Sequence, residues 1–379
     1  EDILAIEKEM ETFRVFQLWK EHEGGNLNSN QQMSTLLFGY LGLKARRTRE
    51  GNTTTNKEFL QSVKGHHPLV PLILSRRKLV KVVTGFLKKL PDLIGDDGHV
   101  HADWNLGGAR TWRLSCSNPN LQNLPSIGPV KDLFVPKIGC AFIEADFSQV
   151  ELRILASLAD EPSLLAAFAE GRDPHTATAA KMFSVPIEKV TEEQRSRGKT
   201  MNFGCVYGLK PDTIEKKFGI PIEEAMDMYL SFWQKLPKIR EWMNAQRDEV
   251  TAAKAVRSPF GKVRHLPEVT SEEENIREHA IRQACNFPIQ SAAADITMNA
   301  MVEIDDLLPK GARIAAQVHD SILVECKDSQ THSILSEIVL PCMRGQRMPG
   351  LKVPLDVQVK VGYSWGVMED VDDDSEEAS

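Results

Sequence analysis

One stretch of the sequence, QRSRGKTMNFGCVYG at residues 194–208, carries side chains whose types and spacing could bind a nucleotide. If the stretch is helical, every fourth residue falls on one slowly drifting face: Arg195, Lys199, Phe203 and Tyr207. Two cations suit a polyphosphate, and two aromatic rings suit a flat base or a sugar. The same pattern is typical of a surface helix with one aromatic edge in the core, so the stretch alone leaves both interpretations open.

Two aspartates could supply carboxylates for metal chemistry. Asp146 ends the apolar segment GCAFIEADF, which predicts a short strand running directly into a helix, so its side chain should emerge into a cleft. Asp320 joins two apolar stretches in the pattern of a tight β-hairpin. If the fold brings both beside a triphosphate, they predict Mg²⁺, which prefers carboxylate and phosphate oxygens. The chain has 53 acidic residues, so this pair is weak evidence without its flanking sequence.

Other candidate residues also have a structural interpretation. Glu151 forms with Ser148 the capping-box pattern S-x-x-E at a predicted helix start, which would explain Glu151 without any function. His175 follows Pro174 at another predicted helix start, where a lone histidine is more often structural than a ligand. A polar row at helical spacing lies within the longest amphipathic run: Arg282, Asn286 and Gln290.

Length and composition predict an ordinary enzyme of two or three lobes, because 379 residues exceed the usual domain size of roughly 100 to 200. No run of about 18 apolar residues indicates a membrane span, and the first residues are too acidic for a signal peptide. Six cysteines without a CxxC pair argue against a zinc site and favour a reducing compartment. The net charge is −7, but seven acidic residues between Glu369 and Glu377 belong to an expected disordered tail, so charge decides nothing about partners.

Hydrophobic periodicity predicts a helical beginning, a largely helical middle and strands near the end. The first predicted helix runs without a break to Gly24, and Asn28 or Ser29 is a candidate N-cap for the next. Residues 98–123 predict short strands and turns, and residues 160–275 predict helices. Near the end, KVPLDVQVKVGYSWG alternates with period two and predicts a further strand.

Five segments together resemble a known family. They are TWRLSCSNPNLQNLP (111–125), DFSQVELRILA (146–156), RSRGKTMNFGCVYG (195–208), NFPIQSAAAD (286–295) and QVHDSILVE (317–325). In order and spacing they resemble motifs of the family A DNA polymerases, the DNA polymerase I and phage replicase family, and the second, third and fifth resemble motifs A, B and C. NLNSNQQMSTLLF and KKLPDLIG resemble parts of the thumb, so the resemblance covers nearly the whole chain.

The resemblance implies an α+β right-hand polymerase fold, in which the palm holds an antiparallel sheet and the fingers are helical. We therefore expect the thumb at 1–105, incomplete at its N-terminus, and the fingers at 159–275. The palm is expected in two parts, 106–158 and 276–379, the second including an acidic tail at 368–379. No segment is long enough for a 3′ to 5′ exonuclease domain, so proofreading is expected in a separate or upstream domain.

The resemblance also assigns catalytic roles. Asp146 and Asp320 are the expected catalytic residues, which hold two Mg²⁺ ions with the carbonyl of Phe147 as a further ligand. Mn²⁺ is expected to substitute for Mg²⁺. Three residues are expected to meet the triphosphate of the incoming nucleotide: His175, Arg195 and Lys199.

The remaining assignments concern the base, the sugar and the DNA. Glu151 is the expected steric gate against a 2′-hydroxyl, Phe203 lies beside the sugar and base, and Tyr207 lies near the template base. Having Phe203 and not Tyr predicts discrimination against dideoxynucleotides. Gln149 and a further group are expected to contact the nascent pair, primer or template, mainly through the minor groove, whose acceptors are nearly the same for all base pairs. That group is Arg113, Asn120, Arg282, Asn286, Gln290 and His319.

Three positions depart from the family's pattern. Trp112 stands where the family usually has Gly, which is expected to reshape the primer side of the groove. Ser321 replaces a common Glu after Asp320, so we expect altered metal handling without loss of activity. Cys285 occupies a position that is commonly apolar or aromatic.

Taken together, the motifs predict template-directed DNA synthesis, in which a primer 3′-hydroxyl attacks the α-phosphate of a dNTP and pyrophosphate leaves. One alternative is a non-catalytic, polymerase-derived protein that only clamps primer-template, and another is a single-subunit RNA polymerase, against which Glu151 argues. The expected partners are primer-template DNA, dNTPs and a processivity factor, with no membrane. The expected location is the cytoplasm of a bacterial or phage-infected cell.

Overall fold

The computed structural model describes residues 1–47, 51, 53–125 and 130–371, except for the side chains of Phe203 and Val206. Most of the predicted acidic tail lies outside these residues, and its first part ends a strand at Asp370. The chain forms two compact units, residues 1–101 with 124–131 and residues 102–123 with 132–379. No helix among the described residues is long and apolar enough to cross a membrane.

The first unit is helical, as predicted. Its α-helices are α1 (Asp2–Met10), α2 (Arg14–Glu23), α3 (Asn30–Ser34), α4 (Lys57–Ser62) and α5 (Leu69–Val82), and π-helical turns extend α3 over Thr35–Tyr40 and α5 over Val83–Leu87. Large apolar side chains from these helices form one core, which includes Phe16, Trp19, Leu36, Leu60 and Ile73. The unit therefore has a hydrophobic core of its own.

The prediction of one unbroken helix up to Gly24 is wrong. The chain leaves the helical path after Met10, where the Thr12 hydroxyl donates a hydrogen bond to the Glu9 carbonyl at 2.7 Å, and α2 starts afresh after the extended Phe13. Gly24 ends α2 in a left-handed conformation, with φ +80°, as its position predicts. Ser29 caps α3, because its hydroxyl accepts a hydrogen bond from the Gln32 amide.

The second unit combines helices with three sheets. Its strands are β1 (Asp103–Asn105), β2 (Ser115–Ser117), β3 (Cys140–Phe147), β4 (Ala255–Arg257), β5 (Val263–His265), β6 (Arg313–Val318), β7 (Ser321–Lys327), β8 (Val357–Ser364) and β9 (Val367–Asp370). Its α-helices are α6 (Val150–Ala159), α7 (Pro162–Ala169), α8 (Pro174–Phe183), α9 (Glu192–Val206), α10 (Pro211–Phe218), α11 (Ile222–Lys235), α12 (Pro237–Ala253), α13 (Glu274–Leu307), α14 (Thr331–Ile334) and α15 (Leu340–Gly345). The predicted helical region 160–275 thus also contains the short β4–β5 hairpin, which turns at Gly261.

The main sheet has five antiparallel strands in the order β6-β7-β3-β8-β9, so β3 lies at its centre. β6 and β7 form the predicted hairpin, whose two-residue turn is His319-Asp320. Asp146, near the end of β3, pairs with Ser321 on one side and Gln358 on the other. Paired residues of neighbouring antiparallel strands point to the same face, so the register itself brings this end of β3 beside the hairpin turn.

Apolar residues of the sheet pack against helices α6 and α13 in one large core. Ile143 and Ile322 from the sheet are fully buried, as are Ile154 on α6 and Ile296 on α13. α13 is the longest helix of the described residues and continues through Pro288. The helices hold the sheet from one side, which leaves the polar ends of β3 and β7 to form a site.

Candidate active site

The two predicted catalytic aspartates lie at the same end of the sheet. Asp146 is the last residue but one of β3, and Asp320 is in the β6–β7 turn, where the Phe147 amide donates a hydrogen bond to the Asp320 carbonyl at 3.2 Å. Both side chains line one open cavity of about 380 Å³. Asp146 and Asp320 are distant in sequence, and the pairing of the strands brings them together.

This end of the cavity concentrates negative charge. Loss of hydration in the cavity and the neighbouring carboxylates of Asp320 and Glu144 raise the pKa of Asp146 to about 7, although Lys360 acts in the opposite direction. Loss of hydration also raises the pKa of Asp320 to about 6, against the influence of Arg113. Two carboxylates that repel each other in a poorly hydrated place are stabilised in their charged form by a bound cation.

A second part of the cavity wall is cationic. It is formed by α8 and α9, which contribute His175, Arg195 and Lys199. Arg195 is held by Asp173, the N-cap of α8, at 2.9 Å between Nε and Oδ2. The helical stretch predicted at 194–208 therefore lines the same cavity as the carboxylates, although the helix ends at Val206 and Tyr207 follows it in a turn.

His175 is a buried, neutral member of this wall. Burial lowers the pKa of its imidazole to about 4, and Lys199 and Arg195 act in the same direction. The Thr178 hydroxyl donates to the Asn202 side-chain oxygen at 2.9 Å, so Asn202 presents its NH₂ group to His175 Nδ1 at 3.1 Å. His175 Nδ1 is then an acceptor, and the proton of the neutral ring is on Nε2.

A glycine fixes the spacing of α8 and α9. A Cβ atom on Gly198 would lie 2.5 Å from the His175 carbonyl oxygen and 3.1 Å from the Ala179 side chain. Only glycine allows this close approach without a shift of backbone. Gly198 lies between Arg195 and Lys199 on the helix, so the contact that brings the two helices together also sets the position of both cations.

Glu151 is tied into a side-chain network and caps no helix. The residue that precedes α6 is Gln149, in a left-handed conformation, and no side chain caps this helix end. The capping-box interpretation is therefore wrong. Glu151 instead accepts hydrogen bonds from Arg113 and from the Tyr207 hydroxyl, and burial beside Glu151 raises the pKa of Tyr207. Arg113 also lies 3.6 Å from Asp320, so the network reaches the carboxylate end of the cavity.

Of the predicted residues that remain, one lines the cavity and three lie on α13. Gln149 lines it, and its buried Oε1 has no hydrogen-bond partner in the part of the chain that the structure describes. Arg282 and Asn286 lie one turn apart on α13 and do not line the cavity. Gln290, a further turn along, lies close enough to the Tyr207 hydroxyl to lower its pKa slightly against the larger effect of burial. The Phe203 side chain lies outside the described residues.

Two further predicted DNA contacts lie in turns. Asn120 accepts a hydrogen bond from the Gln122 amide at 3.1 Å, which holds the turn before the short helix at residues 121–123. His319 is exposed in the hairpin turn with φ +55°, and its carbonyl accepts a hydrogen bond from Gln317. Neither side chain lines the cavity.

Sequence reasoning missed three residues that shape the site. Gln358 lines the cavity because it pairs with Asp146, and Asp173 positions Arg195. Asn202 fixes the tautomer of His175. Only the Asp173-Pro174 helix start carried a recognisable signal, since Asp is a preferred N-cap and Pro a preferred first residue. The roles of Gln358 and Asn202 depend on register and packing that the sequence does not display.

The donor groups at the carboxylate end fit hard divalent cations. Asp146, Asp320 and the Phe147 carbonyl are all oxygen donors, the kind that Mg²⁺ and Mn²⁺ prefer. Asp320 Oδ1 is buried without a hydrogen-bond partner among the described residues. Nowhere in the described part of the chain do three or more His, Cys, Asp or Glu side chains form a cluster that could hold a metal ion by itself. Phosphate oxygens and water are the natural additional ligands for such an incomplete set.

The central antiparallel sheet brings two carboxylates into one cavity with the cations of α9, a set of groups that suits metal-assisted phosphoryl transfer. A family model for DNA polymerase family A matches residues 5–367, and the chain belongs to that family. It is 36% identical over 348 residues to the thermostable DNA polymerase I of Thermus aquaticus, and 34% identical over 350 residues to DNA polymerase I of Pseudomonas aeruginosa. Each alignment covers 90% of this chain, but only 42% and 38% of the relatives, so the chain spans about two fifths of their length.

A solved structure agrees with this assignment. The POL domain of Pol1 from M. smegmatis, in complex with a DNA primer-template and dNTP, has a TM-score of 0.84 and 32% identity to this chain. The alignment covers 96% of this chain and 66% of the other. The predicted α+β fold of a family A polymerase domain is thus confirmed. Members of the family use divalent metal ions.

Proposed function

We propose that this chain catalyses template-directed DNA synthesis, adding dNTPs to a primer 3′-hydroxyl with release of pyrophosphate. One observation carries the proposal: a single cavity is lined both by the carboxylates of Asp146 and Asp320 and by the cations Arg195 and Lys199. Such a cavity can hold a triphosphate between metal-binding carboxylates and cations.

Asp146, Asp320 and the Phe147 carbonyl would hold two divalent ions, Mg²⁺ or Mn²⁺. When bound, these ions supply activation of the primer hydroxyl and stabilisation of the leaving pyrophosphate. Arg195 and Lys199 bind the negative triphosphate oxygens. His175, with its proton on Nε2, can donate a neutral hydrogen bond to the same group.

The network around Glu151 suits selection of the sugar. Its carboxylate is held by Arg113 and Tyr207, so it forms a fixed wall of the cavity. A fixed carboxylate beside the sugar would exclude a 2′-hydroxyl and favour dNTPs over rNTPs. Phe203 is assigned to the sugar and base, and Tyr207 to the template base. Gln149 is assigned to the nascent pair.

The proposal extends to the DNA and to the division of labour along the chain. A group of polar residues is assigned to the primer-template, mainly through its minor groove: Arg113, Asn120, Arg282, Asn286, Gln290 and His319. The thumb is assigned to 1–105, the fingers to 159–275 and the palm to 106–158 and 276–379. The two compact units separate near residue 101, close to the end assigned to the thumb.

A primer-extension assay with Mg²⁺ tests the proposal. We expect Asp146→Ala and Asp320→Ala to abolish extension while fluorescence anisotropy shows nearly unchanged primer-template binding, because both side chains serve the reacting phosphate and not the duplex. Appreciable extension by either variant would contradict the two-ion assignment. A wild-type chain that binds primer-template but extends nothing would support a non-catalytic clamp, and preference for rNTPs would support an RNA polymerase.

A further inference from the structure

Trp112 has a backbone conformation that its side chain disfavours. Its φ is +64°, in the left-handed region, where a bulky aromatic residue is a rare outlier. The Trp112 amide donates a hydrogen bond to the Ala109 carbonyl at 3.0 Å, so the turn itself holds this conformation. Strained residues persist mainly where the surroundings over-determine them, and they cluster at functional sites.

The strained residue also exposes its ring. Trp112 is 44% exposed, which is unusual for the largest apolar side chain. Lys262, in the β4–β5 hairpin, places its Nζ 4.9 Å from the centre of the indole ring. The same Nζ pairs with Asp295 on α13 at 2.6 Å, so this cation is anchored. Burial of apolar surface therefore does not explain why a tryptophan occupies the turn.

Trp112 lies in a basic stretch of the chain that leads to the candidate active site. Arg110 lies two residues before it and near Arg264, whose pKa it helps to lower after the larger effect of burial. Arg113, the next residue, reaches Glu151 and Asp320 in the candidate active site. An exposed aromatic ring with a lysine over it, next in sequence to such a residue, has the chemistry of a nucleic-acid contact.

We propose that Trp112 binds a nucleotide of the primer-template through the ring face that Lys262 leaves open, with Arg110, two residues away in sequence, for a phosphate group. This inference rests on the proposed polymerase function and adds a binding residue to it. The nucleotide is either unpaired, stacking through its base, or part of the duplex, contacting the ring through its deoxyribose. Both sources present an apolar face to the indole ring and a phosphate group beside it.

The test compares Trp112→Gly and Trp112→Phe with the wild type. Glycine removes the ring and accepts the left-handed φ, whereas phenylalanine keeps an aromatic face. Trp104→Ala is the matched control, because Trp104 is a similarly exposed tryptophan, 37%, on β1. Dissociation constants are measured by anisotropy for a recessed primer-template, a single strand and a blunt duplex, and the melting temperature Tm is measured in parallel.

We expect Trp112→Gly to weaken primer-template binding about tenfold, as loss of one base–aromatic stack does, with no fall in Tm. Trp112→Phe should lose at most about threefold, and Trp104→Ala should match the wild type. Weakening confined to the recessed and single-stranded DNA identifies an unpaired nucleotide, and weakening that includes the blunt duplex identifies a paired one.

Unchanged affinity of Trp112→Gly for all three DNAs overturns the inference, as does a loss of affinity that a lower Tm accompanies. If the inference fails in one of these ways while the wild type still binds and extends primer-template, the proposed function is unaffected. A wild type that binds no DNA overturns both.

Discussion

The two walls of the candidate active site are built in different ways. The carboxylate wall is made by strand register, since Asp146 and the turn that holds Asp320 are neighbours in one ladder. The cationic wall is made by helix packing, because α8 and α9 meet at Gly198 and Asp173 holds Arg195. A ladder leaves little freedom of position, whereas two packed helices can shift together. The carboxylate wall is thus the fixed wall of the site, and the cationic wall is the adjustable wall.

The walls also differ in how they handle charge. The carboxylate wall holds two like charges together. Desolvation raises the pKa of both aspartates, and nearby carboxylates add to it, Asp320 and Glu144 for Asp146 and Glu151 for Asp320. The cationic wall keeps its one buried titratable ring neutral by lowering the pKa of His175. The site is therefore arranged to receive cations at one wall and an anion at the other, which is the arrangement that a metal-bound triphosphate requires.

Removing a cation from the adjustable wall should have a large effect on the reaction, second only to loss of either aspartate. We expect Lys199→Ala to lower kcat/KM for a dNTP about 100-fold, in the range for loss of one preorganised charge at a reacting centre. Arg197→Ala is the matched control. Arg197 is on the same helix but pairs with Glu193 at 2.8 Å and Glu224 at 3.1 Å and does not line the cavity. Equal losses for both variants in single-turnover kinetics would mean that the effect belongs to α9 as a whole.

Separating the two helices should have a smaller effect. A methyl group at residue 198 must displace the α8 backbone, so Gly198→Ala should lower the free energy of unfolding by about 1–3 kcal/mol and weaken dNTP binding. Gly85→Ala is a suitable control, because a Cβ atom there meets no described atom within 4 Å. Urea unfolding and dNTP titration measure the two quantities. A Gly198→Ala protein with wild-type values for both would show that the close contact does not position the cations.

Protonation of His175 should have the smallest effect. Its pKa is about 4 in the folded chain and about 6.5 when unfolded, so the unfolded state binds more protons between these values. Wild-type stability should therefore fall, relative to His175→Gln, by on the order of 2–3 kcal/mol as the pH drops from 6.5 to 4. Asp173, Arg195 and Lys199 are present in both proteins, so the difference isolates the imidazole. Parallel pH profiles would contradict a neutral, buried His175.

The sequence predicted the fixed wall better than the adjustable one. The strand before Asp146 and the hairpin around Asp320 follow from local apolar patterns, and their convergence was predicted through the family's motifs. The S-x-x-E pattern misled, because Glu151 bonds to Arg113 and Tyr207, which are distant in sequence. No local pattern could reveal that Gly198 sets a helix spacing or that Gln358 pairs with Asp146, since both facts depend on the tertiary fold.

Trp112 shows the same limit from another side. The sequence showed that Trp112 replaces the family's usual Gly, but it did not show what this replacement does to the backbone. The structure supplies this, because Trp112 has the left-handed φ that suits Gly. The roles of all the predicted site residues stay predictions, those of Phe203 and of the DNA-binding group among them.

The central claim is that a triphosphate lies between the carboxylate and cationic walls. A crystal structure of the chain with a dideoxy-terminated primer-template, the next dNTP and Mg²⁺ tests it most directly. We predict two metal ions on Asp146 and Asp320 and the triphosphate in contact with Arg195 and Lys199. A triphosphate bound elsewhere, or metal ions that do not touch both aspartates, would contradict the account.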